Sequence, residues 1–327
     1  MTKWRRTAPV LFLLASLGGA PALSPGGGRQ RPTRRDVVAA GPATALLLCS
    51  ALPRPPAAAT ESQAAVGGGG GGAGGGLAAR LSQRDPASLK NSVFNVPPAA
   101  QVYPDFVRGE WEVTERFAGY IFPSEKVPKA SVVANPNVPG FQKCSIAAIG
   151  DIGVGGDAGV TYRRSIDAAT GREDRRLGLT SSLDAHLGYR AVEGVSYDGD
   201  AAGGSPNRLS ITMVPRTTRN AERIELFCNA RDSEIVPSPR DPNLRIFVCS
   251  EHVRQVTFGL STEFGVARQV VGNYAHYWTW REQEGGRTLT GNVLTAAYLD
   301  PQDPQYFDEP SKPVVVYSHN LEARRLA

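Results

Sequence analysis

The chemistry-bearing residues of this chain fall on two long segments. Ser250-Glu251-His252-x-Arg254 places Ser250, His252 and Arg254 on one face of an extended strand, with Glu251 and Val253 on the other. The first face also carries Ile246, Val248, Val256 and Phe258. If that face points inward, His252 and Arg254 are polar groups in an apolar interior, and a buried charge needs a partner. Either a carboxylate on another strand or the polar head of a ligand would serve. Arg163 or Arg164 poses the same question on its own strand. On the next segment, Tyr274, His276, Trp278 and Trp280 recur with period two, so one face gathers most of the bulky rings. Such a face is core packing by itself; with convergent polar groups it becomes a pocket.

Other candidates are weaker. His186, His252, His276 and His319 lie on separate segments with no His-x-His or His-Glu-x-x-His spacing, which reads as ordinary histidines rather than metal ligands. Past the leader remain Cys144, Cys228 and Cys249, with no Cys-x-x-Cys. They read as buried thiols, a Cys228–Cys249 disulfide being the alternative. Gly150–Gly156 is glycine-rich, but a dinucleotide fingerprint needs a helix next, and Val160–Ile166 is strand-like. No cofactor is implied.

These residues need a scaffold of strands. Trp111, Val113 and Phe117 alternate with Glu112, Thr114 and Arg116. Further segments follow at Phe141–Ile149, Val160–Ile166, Leu177–Leu183, Tyr189–Val195, Leu209–Met213, Ile224–Cys228, Leu244–Gly259, Val266–Glu282, Arg287–Leu299 and Pro313–Asn320. About ten strands, turn signals between them and little amphipathic helix indicate an all-β antiparallel barrel or sandwich. Consecutive hairpins favour the barrel, because closure removes exposed edges. A barrel of eight to ten strands has room for side chains or one small ligand.

Ahead of the strands lie what read as two addresses and a linker. Residues 1–22 have the basic start, apolar run and small-residue end of a secretory signal peptide. Residues 23–59 combine an acid-free, transit-like stretch with Thr33-Arg34-Arg35, an apolar Val37–Leu52 and Ala57-Ala58-Ala59, the layout of a twin-arginine export signal. The series resembles the import leader of a thylakoid-lumen protein in an alga with a secondary plastid. Val37–Leu52 is broken by Gly41-Pro42 and falls short of the ~20 apolar residues of a span, which argues against a membrane anchor. Residues 60–94, with the glycine run Gly67–Gly76, read as a flexible linker with a helical turn or two at Leu77–Gln83, and 95–327 as the β-domain. Of 36 basic and 31 acidic residues, eight basic and one acidic lie within 1–59, so the remainder carries a net charge of −2. The basic character belongs to the leader, and nucleic acid is not an expected partner.

Gly109-x-Trp111 together with a late basic residue, Arg324 or Arg325, resembles the lipocalin-like (calycin-type) barrels, in which the first-strand Trp packs against an Arg of the last strand. A longer resemblance covers Tyr103 to Arg325. It is carried by Tyr103-Pro104, Gly109-x-Trp111, Pro139-Gly140-Phe141, Pro206-Asn207-Arg208, Arg223-Ile224-Glu225-Leu226-Phe227, Cys249-Ser250-Glu251-x-x-Arg254-Gln255-Val256, Tyr298-Leu299 and Pro313-Val314-x-Val316-Tyr317-Ser318. These segments resemble an uncharacterised family of plant, algal and cyanobacterial proteins, the domain of unknown function sixty-eight sixteen. That resemblance implies a plastid location and a lipocalin-like barrel, without an established activity. The expected interior is Trp111, Arg164, His252, Arg254, Tyr274, His276, Trp278 and Trp280, holding a lipid or pigment. A photosystem or thylakoid protein partner is a further expectation. The alternative is a lumenal enzyme that modifies a lipid or carotenoid, which would require paired inward carboxylates or an inward His with a displaced pKa.

Overall fold

The computed structural model describes residues 75–91, 98–127, 159–199, 204–217, 221–259, 269–283 and 285–326. The chain divides into two units, Met1–Ala65 and Val66–Ala327, and every described residue lies in the second. The expected leader, the strand Phe141–Ile149, Cys144 and the Gly150–Gly156 turn lie outside the described residues. Among the described residues no helix is long and apolar enough to cross a membrane.

Among the described residues nine antiparallel strands form one sheet: β1 (Gly109–Ile121), β2 (Val160–Ile166), β3 (Val192–Ser196), β4 (Arg208–Met213), β5 (Arg223–Pro237), β6 (Arg245–Phe258), β7 (Gln269–Glu282), β8 (Thr288–Tyr298) and β9 (Val315–Arg325). Their order is β2-β1-β9-β8-β7-β6-β5-β4-β3, so β3 to β9 run as a meander and β1 inserts beside β9. The all-β expectation and the strand count agree. The sheet curls strongly. A flat sheet would hold β2 and β7, four ladder steps apart, roughly 19 Å from each other. Instead the Arg164 guanidinium on β2 lies 5.9 Å from the Trp278 ring and 5.5 Å from the Trp280 ring on β7.

The expected closure is not met. Among the described residues, strands β2 and β3 are the two edges of the sheet, and no ladder joins them. A helix, α2 (Arg175–Leu187), packs against both edges instead. The Ser181 hydroxyl accepts from the Arg163 backbone N–H on β2 at 2.8 Å. The Asp184 carboxylate accepts from the N–H groups of Ala191 and Val192, at 2.7 and 2.9 Å, at the start of β3. Edge groups that a barrel would satisfy by pairing are thus satisfied by side chains of the helix.

That helix corrects the strand expected at Leu177–Leu183. Leu177, Leu179 and Leu183 can be read with period two, but Leu179, Leu183 and Leu187 are also spaced by four. The ends decide in favour of the helix. Asp174 accepts from the Leu177 N–H as N-cap, and Gly188 ends the helix in the left-handed region at φ 76°.

The linker boundary is also corrected. The helical turn expected at Leu77–Gln83 is present as a short helix, α1 (Leu77–Ser82), but it and the turn Pro86–Ser88 pack onto the sheet rather than forming a free linker. Leu77 and Leu89 are buried in a cluster with Val248, Ala275, Tyr277, Tyr298 and Val316, on the outer face of the sheet. The Tyr298 hydroxyl donates to the Leu89 carbonyl at 2.9 Å, and the Ala78 N–H to Glu234 at 2.9 Å. Both faces of the central strands are therefore covered, the inner by the curl and the outer by this strap.

Candidate functional site

A cavity of about 170 Å³ opens inside the curl, between α2 and strands β1, β2 and β5 to β8. The register of β6 against β7 decides which side chains reach it. Cys249 pairs with Trp278, Glu251 with His276 and Val253 with Tyr274. Paired residues of an antiparallel ladder share a face, so the odd positions of β6 point inward along with the even positions of β7.

Four of the expected interior residues, Arg164, Tyr274, His276 and Trp278, line the cavity. Trp280 and Trp111 lie in the adjoining cluster and do not line it. Trp111 donates its indole N–H to the Val107 carbonyl at 2.7 Å, and the Arg325 guanidinium lies 4.4 Å from its ring centroid. The remaining two expectations are overturned. His252 is buried on the outer face, 5.8 Å from the Tyr277 ring and 6.4 Å from the Tyr298 ring, and Arg254 is exposed. The apolar neighbours that made their face look interior are partly covered by the N-terminal strap, which sequence reading had assigned to the linker.

In their place stands Glu251, buried and gripped from two sides. Arg175, the first residue of α2, donates to its two oxygens at 2.6 and 2.8 Å. Arg231 on β5 donates to one of them at 3.0 and 2.7 Å. A bulge makes the second grip: Cys228 pairs with Val253 and Ala230 with His252, so Asn229 is the extra residue. The extra residue reverses the alternation, and Arg231 follows Cys228 to the inner face. Burial pushes the Glu251 carboxyl up, and the two guanidiniums more than offset that, holding it well below the ordinary carboxylate value.

A second pair faces it. Arg164 donates to both oxygens of Glu173, at 2.6 and 2.9 Å, and to the Tyr103 hydroxyl at 2.7 Å. The turn at Asp167–Gly171 delivers Glu173 to this position. Asp167 accepts from the Thr170 N–H and hydroxyl, and Gly171 takes φ 68°, where a Cβ would strike the Tyr103 carbonyl. Burial raises the Glu173 carboxyl and Arg164 lowers it, for a net depression. Glu115 also lines the cavity and accepts from the Tyr162 hydroxyl at 3.0 Å.

The cysteines sit apart. Cys228 pairs with Val253 and Cys249 with Ser233, so the ladder separates the two thiols and both are free. Burial pushes the Cys249 thiol up, out of the range of a neutral-pH nucleophile. Among the described residues no group of three His, Cys, Asp or Glu side chains is arranged to hold a metal ion. His186 and His276 both line the cavity. His276 Nδ1 lies 2.8 Å from the Thr295 hydroxyl, and burial lowers its pKa to about 4. Burial also lowers His252 to about 4.

Both imidazoles are thus neutral in the folded protein near neutrality, while the unfolded chain binds protons near pH 6.5. Because the unfolded state takes up the protons first, stability falls as pH drops from about 6.5 to about 4, and this contribution is spent below that. Urea midpoints measured across this window are expected to decline, and the ring resonances of His252 and His276 are expected not to titrate above pH 5.

Sequence reasoning missed Tyr103, Glu115, Glu173, Arg175 and Arg231, and it set Glu251 on the wrong face. The alternation did carry a signal for Glu251, whose odd-numbered neighbours Phe247, Cys249 and Val253 are as apolar as the even set.

Glu173 and Glu251 are tied to guanidiniums and are poor bases, and the thiol is protonated. Set against protein-family models, curated proteins and solved structures, the chain matches none.

Proposed function

We propose that this protein is a binding module that holds a compact, ring-sized small molecule inside a lipocalin-like barrel whose wall α2 completes. The observation that carries the reading is the cavity itself. It combines an aromatic and aliphatic lining (Trp278, Tyr162, Leu183, Val253, Val293) with buried, fixed guanidiniums, the mixture expected of a ligand pocket. Its volume of about 170 Å³ suits one ring or a short branched group. A whole carotenoid or diacyl lipid is too large, so a pigment or lipid would insert only its terminal group. The Arg325–Trp111 stacking supports the lipocalin-like part of the reading. The tandem leader supports delivery to a thylakoid lumen, and the quoted segments support a place in the uncharacterised plastid and cyanobacterial family.

Native mass spectrometry of the protein taken from its own cells is expected to show one bound small molecule, released on organic extraction. Val293→Phe, which fills the cavity from β8, is expected to lose it while remaining folded. A protein that emerges without an adduct, and whose Trp278 emission ignores a panel of neutral monocyclic compounds, overturns the reading.

A further inference from the structure

Arg175 and Arg231 share one carboxylate and are used differently. A guanidinium carries five N–H donors. Arg231 spends all of them: on Glu251 at 2.7 and 3.0 Å, on the Asn207 side-chain oxygen at 2.7 Å, and on the carbonyls of Pro206 and Ala99 at 2.9 and 3.0 Å. It fastens the strand β5 to two loops. Arg175 spends two, both on Glu251, and among the described residues it bonds no other group through its side chain. Yet Arg175 lines the cavity with its side chain only 17% exposed.

The charges are uneven in the same place. Two guanidiniums meet one carboxylate at Glu251, a local excess of one positive charge, whereas Arg164 and Glu173 balance each other. Arg172, also on the cavity lining, adds to the positive side. The remaining lining carboxylate, Glu115, accepts from the Tyr162 hydroxyl and offsets Arg172, so the lining as a whole keeps a formal excess of one positive charge. Arg175 thus meets the cavity with donors to spare, and an anion with two oxygens is the partner a guanidinium edge fits best. The space left for the rest of the ligand is small: an apolar void of about 150 Å³ is enough for benzene.

We infer that the cavity takes a compact monocyclic carboxylate, with its carboxylate on the free edge of Arg175 and its ring among Trp278, Leu183 and Val253. The inference rests on the small-molecule reading above and specifies its ligand class. The ligand's negative charge completes a neutral set with Arg175, Glu251 and Arg231. Its ring replaces water against the apolar side of the cavity.

The test uses the full chain with benzoate and benzamide as matched probes, followed by calorimetry and by Trp emission. Benzoate is expected to bind at least tenfold more tightly than benzamide. Arg175→Met is expected to erase that preference, since Glu251 keeps Arg231 and the fold is retained. Arg175→Lys is expected to restore part of the preference. Equal binding of the two probes to the unaltered chain, or a benzoate preference that survives Arg175→Met, overturns the inference and leaves the small-molecule reading standing. If neither probe nor any neutral ring compound binds, the reading itself falls and takes the inference with it.

Discussion

Glu251→Gln is expected to destabilise the protein by about 3–5 kcal/mol, the usual cost of removing one member of a buried ion pair. The substitution leaves Arg175 and Arg231 facing each other across a neutral amide, with Arg231 only 5% exposed. Two buried cations without a counter-charge both lose their partner and repel. Against a total stability of about 5–15 kcal/mol, such a loss is severe. Urea unfolding of the variant and the unaltered chain at neutral pH measures it directly. A difference under about 1 kcal/mol, the range of exposed pairs, would show that the triad is effectively solvated.

The same residue sets the acid limb. The folded carboxyl of Glu251 sits well below its ordinary value of 4.5, so the unfolded chain takes up the proton first as pH falls. The stabilisation is therefore fully present above about pH 4.5 and is lost progressively below it. Glu173 acts in the same direction. Acid unfolding of Glu251→Gln is expected to be flatter below pH 4.5 than that of the unaltered chain.

A chain begun at Asn95 is expected to be markedly less stable than the full chain and to self-associate. It lacks Leu77 and Leu89, both buried against Val248, Tyr277 and Tyr298. Truncating a single buried leucine to alanine costs about 2–5 kcal/mol, and here both are lost together with the Tyr298–Leu89 hydrogen bond. A loss of at least about 2 kcal/mol is expected, which lowers Tm by roughly 4–8 °C for a domain of this size. The uncovered face is contiguous and apolar, so light scattering is expected to rise with concentration. A chain from Asn95 that stays monomeric with an unchanged Tm would mean that the strap merely rests on the sheet. Leu89→Ala in the full chain is expected to show a smaller loss of the same sign.

Most strands were legible because alternation needs only neighbouring residues. Val160–Ile166 and the long pair that became β6 and β7 lie within a few residues of their expected bounds. The helix α2 was not, because three leucines fit period two and period four alike, and the cap residues Asp174 and Gly188 were the better guide. The faces of β6 were not legible either. Its two faces are similarly apolar because both are buried, so composition could not say which one turned inward. A shift of one residue in the pairing would exchange Glu251 for His252 throughout.

The sequence by itself determined that the described part of the chain is mostly antiparallel β, that Tyr274, His276 and Trp278 share a face, and that the basic charge belongs to residues 1–59. These are properties of local order and of counting. Only the tertiary structure decided that the sheet stays open beside a helix, that residues 75–91 belong to the fold, and that Glu251 rather than His252 or Arg254 meets the cavity. Those outcomes depend on ladder register, on a bulge at Asn229 and on contacts between residues as far apart as Leu89 and Tyr298. Such contacts form only when the sheet curls, and no run of neighbouring residues contains them.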